Sequence, residues 1–594
     1  MTRPASSRAV GPDGIDVAIG VGLGGLLAVG IIQWLIGNLA AMLGRARLLH
    51  ATPVDAVRSL PGLLKHAGNP AASWPAAVRG NLPGPVPYWI ATVVVLTAVT
   101  AGALAVITLV GRRRQVPIDK RRRLGVPTQP RLATRRDVAP LFTRRPEPNR
   151  FVLARHGRGY LSTEDTSSRG GRRGVAGAVA IFGPSQSGKT TGLIDGVAAW
   201  TGPAIISSVK ADLLRATIDR RRQLGDVRIF DPLGVTGHPS ATWSPLRPAK
   251  SLTGALTAAG ILARTGADDT TPGDKFWRGQ AEQLLAAMLF TAANIPDHTM
   301  RHVVRWVLDL DRPGDTDGPG TLAPLVRRLT DSNDPQIALS AKQVQGWLHG
   351  QWNTDPRTTS SVYATARNAV WPWADPAIAT SAESCDLTLD WLLYEANTIY
   401  LVAPLGDDRI GLVFAALLHD LISDAFTAYN RQGAPLDPRL LVVCDEAANT
   451  PLPKLPQWAA TVSGAGIQLA TVWQSRAQLD ETYGRQADSV LTNHRSKLFY
   501  PSGLTDTSTT DYLSVLSGTE HVRADLATGQ PFSSPPGQDR GHVATAVPFA
   551  PADVLRRLQV GDAYLVHGHL PPTWIPRSTR AQQPDKTPNA HRLE

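Results

Sequence analysis

The 594-residue sequence predicts an α/β domain built on a parallel sheet, interrupted by an all-α subdomain and preceded by two transmembrane helices. Three observations carry this. First, Gly183-Pro184-Ser185-Gln186-Ser187-Gly188-Lys189-Thr190 has the spacing G-x-x-x-x-G-K-[ST] of a phosphate-cradling loop. Second, short apolar runs rich in β-branched residues alternate with helical patterns around it, which is the signature of parallel strands covered by helices. Third, residues 17–44 and 88–110 are charge-free stretches of 28 and 23 residues. Each exceeds the roughly 20 residues needed to cross a bilayer.

The loop has the flanks its chemistry needs. Residues 175–182 form a short apolar run that reads as a buried strand, and residues 191–200 can continue as a helix. A strand, a glycine-bearing turn and a helix N-terminus together make an anion site. In such a loop the backbone amides face a β-phosphate, the lysine, here Lys189, reaches the β- and γ-phosphates, and the hydroxyl of Thr190 ligates Mg2+. Gly183, Pro184, Ser185, Gln186, Ser187, Gly188, Lys189, Thr190 and Thr191 are therefore the candidate ATP-binding residues.

A phosphate loop needs a second carboxylate for the metal and a base for water. Arg439-Leu-Leu-Val-Val-Cys-Asp445-Glu446 supplies both, because five apolar residues ending in Asp-Glu describe a buried strand that delivers two carboxylates to its C-terminal edge. Asp445 is expected to hold the metal and Glu446 to polarise the attacking water. A third strand, residues 468–473, ends at Gln474, a neutral amide placed to contact a γ-phosphate and report its loss. Arg476 and Arg495 fall where a ring neighbour could receive an arginine finger, although packing is the plainer reading of both.

Composition bounds the rest. Hydrophobic residues at 43% provide a sizeable core, and the length predicts two to four domains. Two cysteines, Cys385 and Cys444, exclude a disulfide framework, and no Cys/His spacing predicts a structural metal. The formal charge of +12 is concentrated: residues 111–150 alone hold thirteen Arg and Lys against three acids. That cluster directly follows the second apolar stretch, so the positive-inside rule places it in the cytoplasm. Two spans, at about 17–43 and 88–110, then leave both termini cytoplasmic, with residues 45–87 as an extracytoplasmic loop and Tyr88 and Trp89 as interface anchors. A secretory signal would have a shorter apolar region than residues 17–44.

Taken in order, residues 1–114 read as a membrane anchor and residues 115–150, with six prolines, as a basic extended linker. The nucleotide-binding domain occupies 151–250 and 391–572. Its strands are expected at 175–182, 204–209, 227–230, 398–403, 439–444, 468–473, 489–500 and 562–566, with a long helix at 410–429. Between about 251 and 390 the apolar spacing becomes helical, as in Phe276-Trp277, Ala281, Leu284-Leu285 and Met288-Leu289. This all-α insertion explains the long separation of Lys189 from Asp445. Residues 573–594 read as a polar disordered tail.

These pieces resemble the TraG/TraD-type coupling ATPases of conjugation and type IV secretion. The resemblance rests on an ordered set: the loop 183–190, Ser208-Val-Lys-Ala-Asp-Leu-Leu214, Phe230-Asp-Pro-Leu-Gly234, Trp243-Ser-Pro-Leu246, Val443-Cys-Asp-Glu446, and Gly464-Ala-Gly-Ile467 with Trp473-Gln474-Ser475. Ser463 stands where the family often has a basic residue. The resemblance implies a membrane-anchored RecA-like P-loop NTPase acting as a homo-hexamer, with ATP and Mg2+ bound between subunits. It further implies that the all-α subdomain meets the relaxase or another substrate, and that the partners are a single-stranded DNA–relaxase complex or secreted protein and the components of a type IV secretion channel. Within it, Lys189, Glu446 and Gln474 would be the catalytic set and Thr190 and Asp445 the Mg2+ ligands. Two alternatives share some of these features: an FtsK-like DNA translocase or protein-secretion ATPase, and a non-enzymatic membrane scaffold that recruits secretion substrates.

Overall fold

A computed structural model describes residues 13–114, 122–127, 129–165, 177–265, 272–313, 320–404, 406–450, 452–525 and 542–577. The chain divides into two compact units, Met1–Thr128 and Gln129–Glu594.

The first unit is a helical hairpin. Helices Asp13–Arg45 and Pro85–Arg114 contain segments, Leu27–Arg45 and Pro85–Val106, long and apolar enough to cross a membrane. The intervening segment, expected as a loop, folds over them. It contains helix Pro53–Lys65, opened by a reciprocal cap in which Thr52 and Asp55 satisfy each other's backbone amides. Tyr88 is not an outward anchor: it is 1% exposed, and its hydroxyl accepts from Gln33 Nε2 at 2.8 Å and Trp74 Nε1 at 3.1 Å. A polar group inside an apolar hairpin has to be satisfied internally, and the indole of Trp74 and the amide of Gln33 do this. Trp89, 40% exposed, keeps the outward position.

The second unit is organised by one nine-stranded sheet. Its strands, in chain order, are β1 (Val179–Phe182), β2 (Ala204–Ser208), β3 (Val227–Phe230), β4 (Thr398–Val402), β5 (Leu440–Cys444), β6 (Ile467–Trp473), β7 (Ser496–Phe499), β8 (Ala563–His567) and β9 (Thr573–Ile575). Across the sheet they run β9-β8-β7-β1-β6-β5-β2-β4-β3. The seven from β7 to β3 are mutually parallel, and β8 and β9 add an antiparallel edge. Strands β1, β5 and β6 are buried throughout, as expected of a parallel sheet covered on both faces.

Alternation along the strands sends side chains to two cores. One contains Val179, Ile181, Ala204, Ile206, Leu441 and Val443 and is closed by helices Lys189–Ala199 and Asp212–Arg222. The other contains Ala180, Phe182, Ile205, Leu440, Val442 and Cys444 and is continuous with the helices of the insertion, from Leu252–Thr265 to Leu389–Tyr394. The insertion therefore shares its core with one face of the sheet. Helix Asp408–Gln432 also meets the length and hydropathy of a membrane span, yet its apolar residues, Val413, Phe414, Leu417, Leu418, Leu421 and Ile422, are buried in that shared core. A helix apolar on nearly all sides is a buried helix.

Several expectations are corrected. Residues 489–500 are not one strand: helix Ala487–Asn493 precedes β7. Part of the expected linker is folded, since Val138 and Leu141 are buried in the core beside β1 and the Ala133 amide donates to the Pro572 carbonyl at 2.8 Å. Phe142–Thr143 joins Val152–His156 and Gly159–Ser162 in a three-stranded antiparallel sheet. The expected tail begins with β9, paired to β8, while residues 578–594 lie outside the described residues. Residues 115–121 of the linker do so too. Two short apolar segments gained order here because each covers an edge or face that the main sheet would otherwise expose.

Candidate nucleotide site

Parallel strands present their C-terminal ends on one edge, so neighbours in the sheet become neighbours in the site. Four adjacent strands, β1, β6, β5 and β2, deliver the phosphate loop, Gln474, Asp445-Glu446 and Ser208 to that edge. The register fixes the alignment: Phe182 lies opposite Trp473, and Cys444 lies between Thr471 and Ser207. The loop is tied directly to β6 by the Gly183 amide, which donates to the Trp473 carbonyl at 3.2 Å.

The loop turns into helix Lys189–Ala199 through Gly188, whose φ of +101° is open to glycine and costly for other residues. Gly188 is also packed tightly: a Cβ there would lie 2.8 Å from the Gly561 backbone. The helix N-terminus carries no side-chain cap and no acid in its first turn. Its amides are thus left for an anion. The Ser187 hydroxyl is buried without a hydrogen-bond partner, a second mark of a loop shaped around a missing polar group. Ser185, Gln186, Thr190 and Thr191 are exposed and Pro184 is half-buried.

The Lys189 ammonium donates to the carbonyls of Gly183 and, at 2.9 Å, Pro184. Burial pushes its pKa down from the ordinary lysine value, while Asp445 and Glu446 oppose that shift. A partly desolvated cation held by two loop carbonyls is poised to exchange them for phosphate oxygens.

Asp445 extends the β5 ladder, its amide donating to Ser207 O at 2.8 Å, and one carboxylate oxygen accepts from Ser208 Oγ at 2.9 Å. Burial raises its pKa, the Ser208 hydrogen bond lowers it, and the neighbouring Glu446 charge raises it further. A carboxylate strained in this way gains from a cation, so the donor set of Thr190 and Asp445 fits Mg2+. The sign of the linkage follows. The folded protein holds the Asp445 proton more tightly than the unfolded chain, so its ionisation costs stability above the ordinary value of 3.8 and more as pH rises through the folded pKa. Asp445→Asn keeps the acceptor for Ser208 and removes the charge. Without nucleotide it is expected to melt roughly 2–4 °C above wild type at neutral pH, with the difference vanishing toward pH 4 in calorimetric scans; equal melting at all pH values would contradict this account.

Glu446 follows with a left-handed backbone, φ +54° and ψ 60°. Such a conformation is uncommon outside glycine and concentrates at functional sites. Gln474 stands half-buried at the end of β6, its amide donating to Gln478 Oε1 at 2.9 Å. The two arginines separate. Arg495 precedes β7 and so lies at the opposite edge of the sheet, where it pairs with Glu164 at 2.6 Å. Arg476 is on the site's edge but pairs with Asp488 at 2.7 Å and lies over the Tyr512 ring at 4.8 Å. Cys444 is fully buried, its thiol pushed up to about 12 by burial, and serves only packing.

Sequence reasoning assigned no role to Ser208 or Lys210. Their position at the end of a strand two residues apart was visible; their approach to Asp445 and Glu446 depends on β2 lying beside β5, across 237 residues of chain.

Residues 153–537 match the family model described as "Type IV secretory system Conjugative DNA transfer". The Conjugal transfer protein TraG of Agrobacterium fabrum strain C58 is 24% identical over 368 residues, covering 60% of this chain and 53% of that protein. The chain thus spans about half the length of this curated relative. The solved bacterial conjugative coupling protein TrwBdeltaN70, in an unbound form, is 16% identical and covers 68% of this chain and 84% of its own, with a TM-score of 0.50, a likeness of fold. A RecA-like sheet carrying an intact phosphate loop, an all-α insertion, two N-terminal apolar helices and a family match over most of the second unit lead to one conclusion: the chain belongs to the conjugative DNA transfer family of type IV secretory systems.

Proposed function

We propose that the chain is a membrane-anchored ATPase that couples a relaxase–DNA substrate to a type IV secretion channel. The single observation that carries this is the gathering of Lys189, Gln474 and Asp445-Glu446 on adjacent parallel strand ends. The helix N-terminus after Gly188 and the Lys189 ammonium bind the phosphates, and Thr190 and Asp445 hold Mg2+, which neutralises phosphate charge when bound. Glu446 accepts a proton from water as the water oxygen attacks the γ-phosphorus and the bond to the bridging oxygen breaks, releasing ADP. Gln474, attached to β6, reports the loss of the γ-phosphate to the loop that follows it.

The remaining assignments follow from the family and the charge pattern. Two spans cross the cytoplasmic membrane with both termini inside. Six copies form a ring, the insertion meets a relaxase carrying single-stranded DNA, or a secreted protein, and the anchor meets channel components. The test is ATP turnover by the full chain in detergent micelles, with and without DNA. Turnover stimulated by single-stranded DNA is expected. Stimulation by duplex alone would indicate an FtsK-like translocase, indifference to both a protein-secretion ATPase, and ATP binding without turnover a scaffold.

A further inference from the structure

One side chain at the site is left without a task. Lys210 lies just beyond β2, the strand beside β5, and its ammonium is 3.3 Å from Glu446 Oε1. Its backbone amide donates to Ser208 Oγ at 3.2 Å, and that hydroxyl donates to Asp445 at 2.9 Å. The turn that carries Lys210 is therefore anchored to the carboxylate next to Glu446. The other oxygen of Glu446, Oε2, accepts from Asn449 Nδ2 at 3.1 Å. Both oxygens of the proposed base thus accept from protein donors.

We propose that Lys210 is a positioning residue that clamps Glu446 and withholds it from water until the γ-phosphate draws the ammonium away. This rests on the reading of Glu446 as the base. A base must aim a free lone pair at the proton it takes, and an ammonium at one oxygen fills that lone pair. Glu446 is 14% exposed, so it has little room to escape its partners, whereas Lys210 is 49% exposed and free to swing. The groups that face the carboxylate are the cations Lys189 and Lys210, the anion Asp445 and the neutral Asn449. Two cations balance two anions. Phosphate groups added beside them compete for both cations, and Lys210, the more exposed, moves first. The strained backbone of Glu446 keeps its side chain in place when the clamp opens.

The test compares wild type, Lys210→Met, Lys210→Arg and Asn449→Ala as full chains in detergent micelles, at saturating ATP and without DNA. Lys210→Met is expected to raise kcat about fivefold, the scale of a half-exposed ion pair, and Lys210→Arg to restore the wild-type rate. Asn449→Ala, which frees the other oxygen, should raise it in the same direction. A merely structural role would not give a rate that rises with methionine and returns with arginine. A kcat in Lys210→Met that falls or stays level, or in Lys210→Arg that does not return to wild type, overturns the clamp. Glu446→Gln is the control for the underlying reading: if it keeps wild-type turnover, Glu446 is not the base and the clamp fails with it. If wild type itself shows no turnover, the ATPase assignment is what has failed.

Discussion

Lys189→Ala is expected to abolish ATP hydrolysis by the full chain and to weaken ATP binding, while leaving insertion of the two N-terminal helices unchanged. The side chain lies in the loop that joins β1 to the first helix, and its ammonium is the cation the loop itself contributes. That ammonium is held by two carbonyls and partly desolvated, so it brings to the γ-phosphate a charge already stripped of much of its water. Removing one such preorganised donor costs roughly 10²–10³ in rate, and here ground-state binding falls as well because the same charge contacts the β-phosphate. Binding measured with a fluorescent ATP analogue and turnover measured by phosphate release should fall together. Full residual ATPase would remove the phosphate loop from the mechanism.

Glu446→Gln should separate what Lys189→Ala confounds. Glutamine is nearly isosteric, and its one amide oxygen still accepts from Lys210 or from Asn449, so the turn after β5 keeps one of its two side-chain hydrogen bonds. What is lost is the proton acceptor. Turnover is expected to fall by about 10²–10⁴ with ATP affinity within a few fold of wild type. A nucleotide-bound, hydrolysis-arrested protein would result, whose occupancy can be counted after rapid filtration. If ATP affinity collapsed with the rate, Glu446 would be acting on binding, and the carboxylate that activates water would have to be sought elsewhere on the same edge. The two variants together distinguish the cation that binds from the base that reacts.

Much of this is legible in the amino-acid sequence. The phosphate loop is legible because backbone geometry demands its glycines: Gly188 needs a positive φ and approaches Gly561 too closely for a side chain. Strand β5 is legible because a strand buried on both faces is apolar along its length, and the polar pair that follows, Asp445-Glu446, then stands out. The insertion is legible because helical periodicity differs from strand periodicity. The segments that escaped are those with too few residues to show a period. Thr573–Ile575 and Phe142–Thr143 are strands of three and two residues, and their order comes from partners elsewhere in the chain. Residues 489–500 were read as one strand because Val490 and Leu491 are apolar in either reading; helix Ala487–Asn493 buries both on one side. Tyr88 was read as an anchor because an aromatic at the end of an apolar run has that position, and only the folded hairpin supplies the donors that turn it inward.

Local sequence, then, determined the kind of chemistry: which residues can cradle phosphate, hold a cation and accept a proton, and which stretches are long and apolar enough to cross a membrane. Each of those properties is written within about thirty consecutive residues, where backbone geometry or apolar length acts alone. The tertiary structure decided the pairings, and it did so through strand order. Because β2 lies beside β5, Ser208 and Lys210 meet Asp445 and Glu446 across more than two hundred residues. Because β7 runs parallel to β1, Arg495 lies at the far edge of the sheet from the site. Strand order is set by how two buried faces are covered at once, a property of the whole core that no single stretch contains.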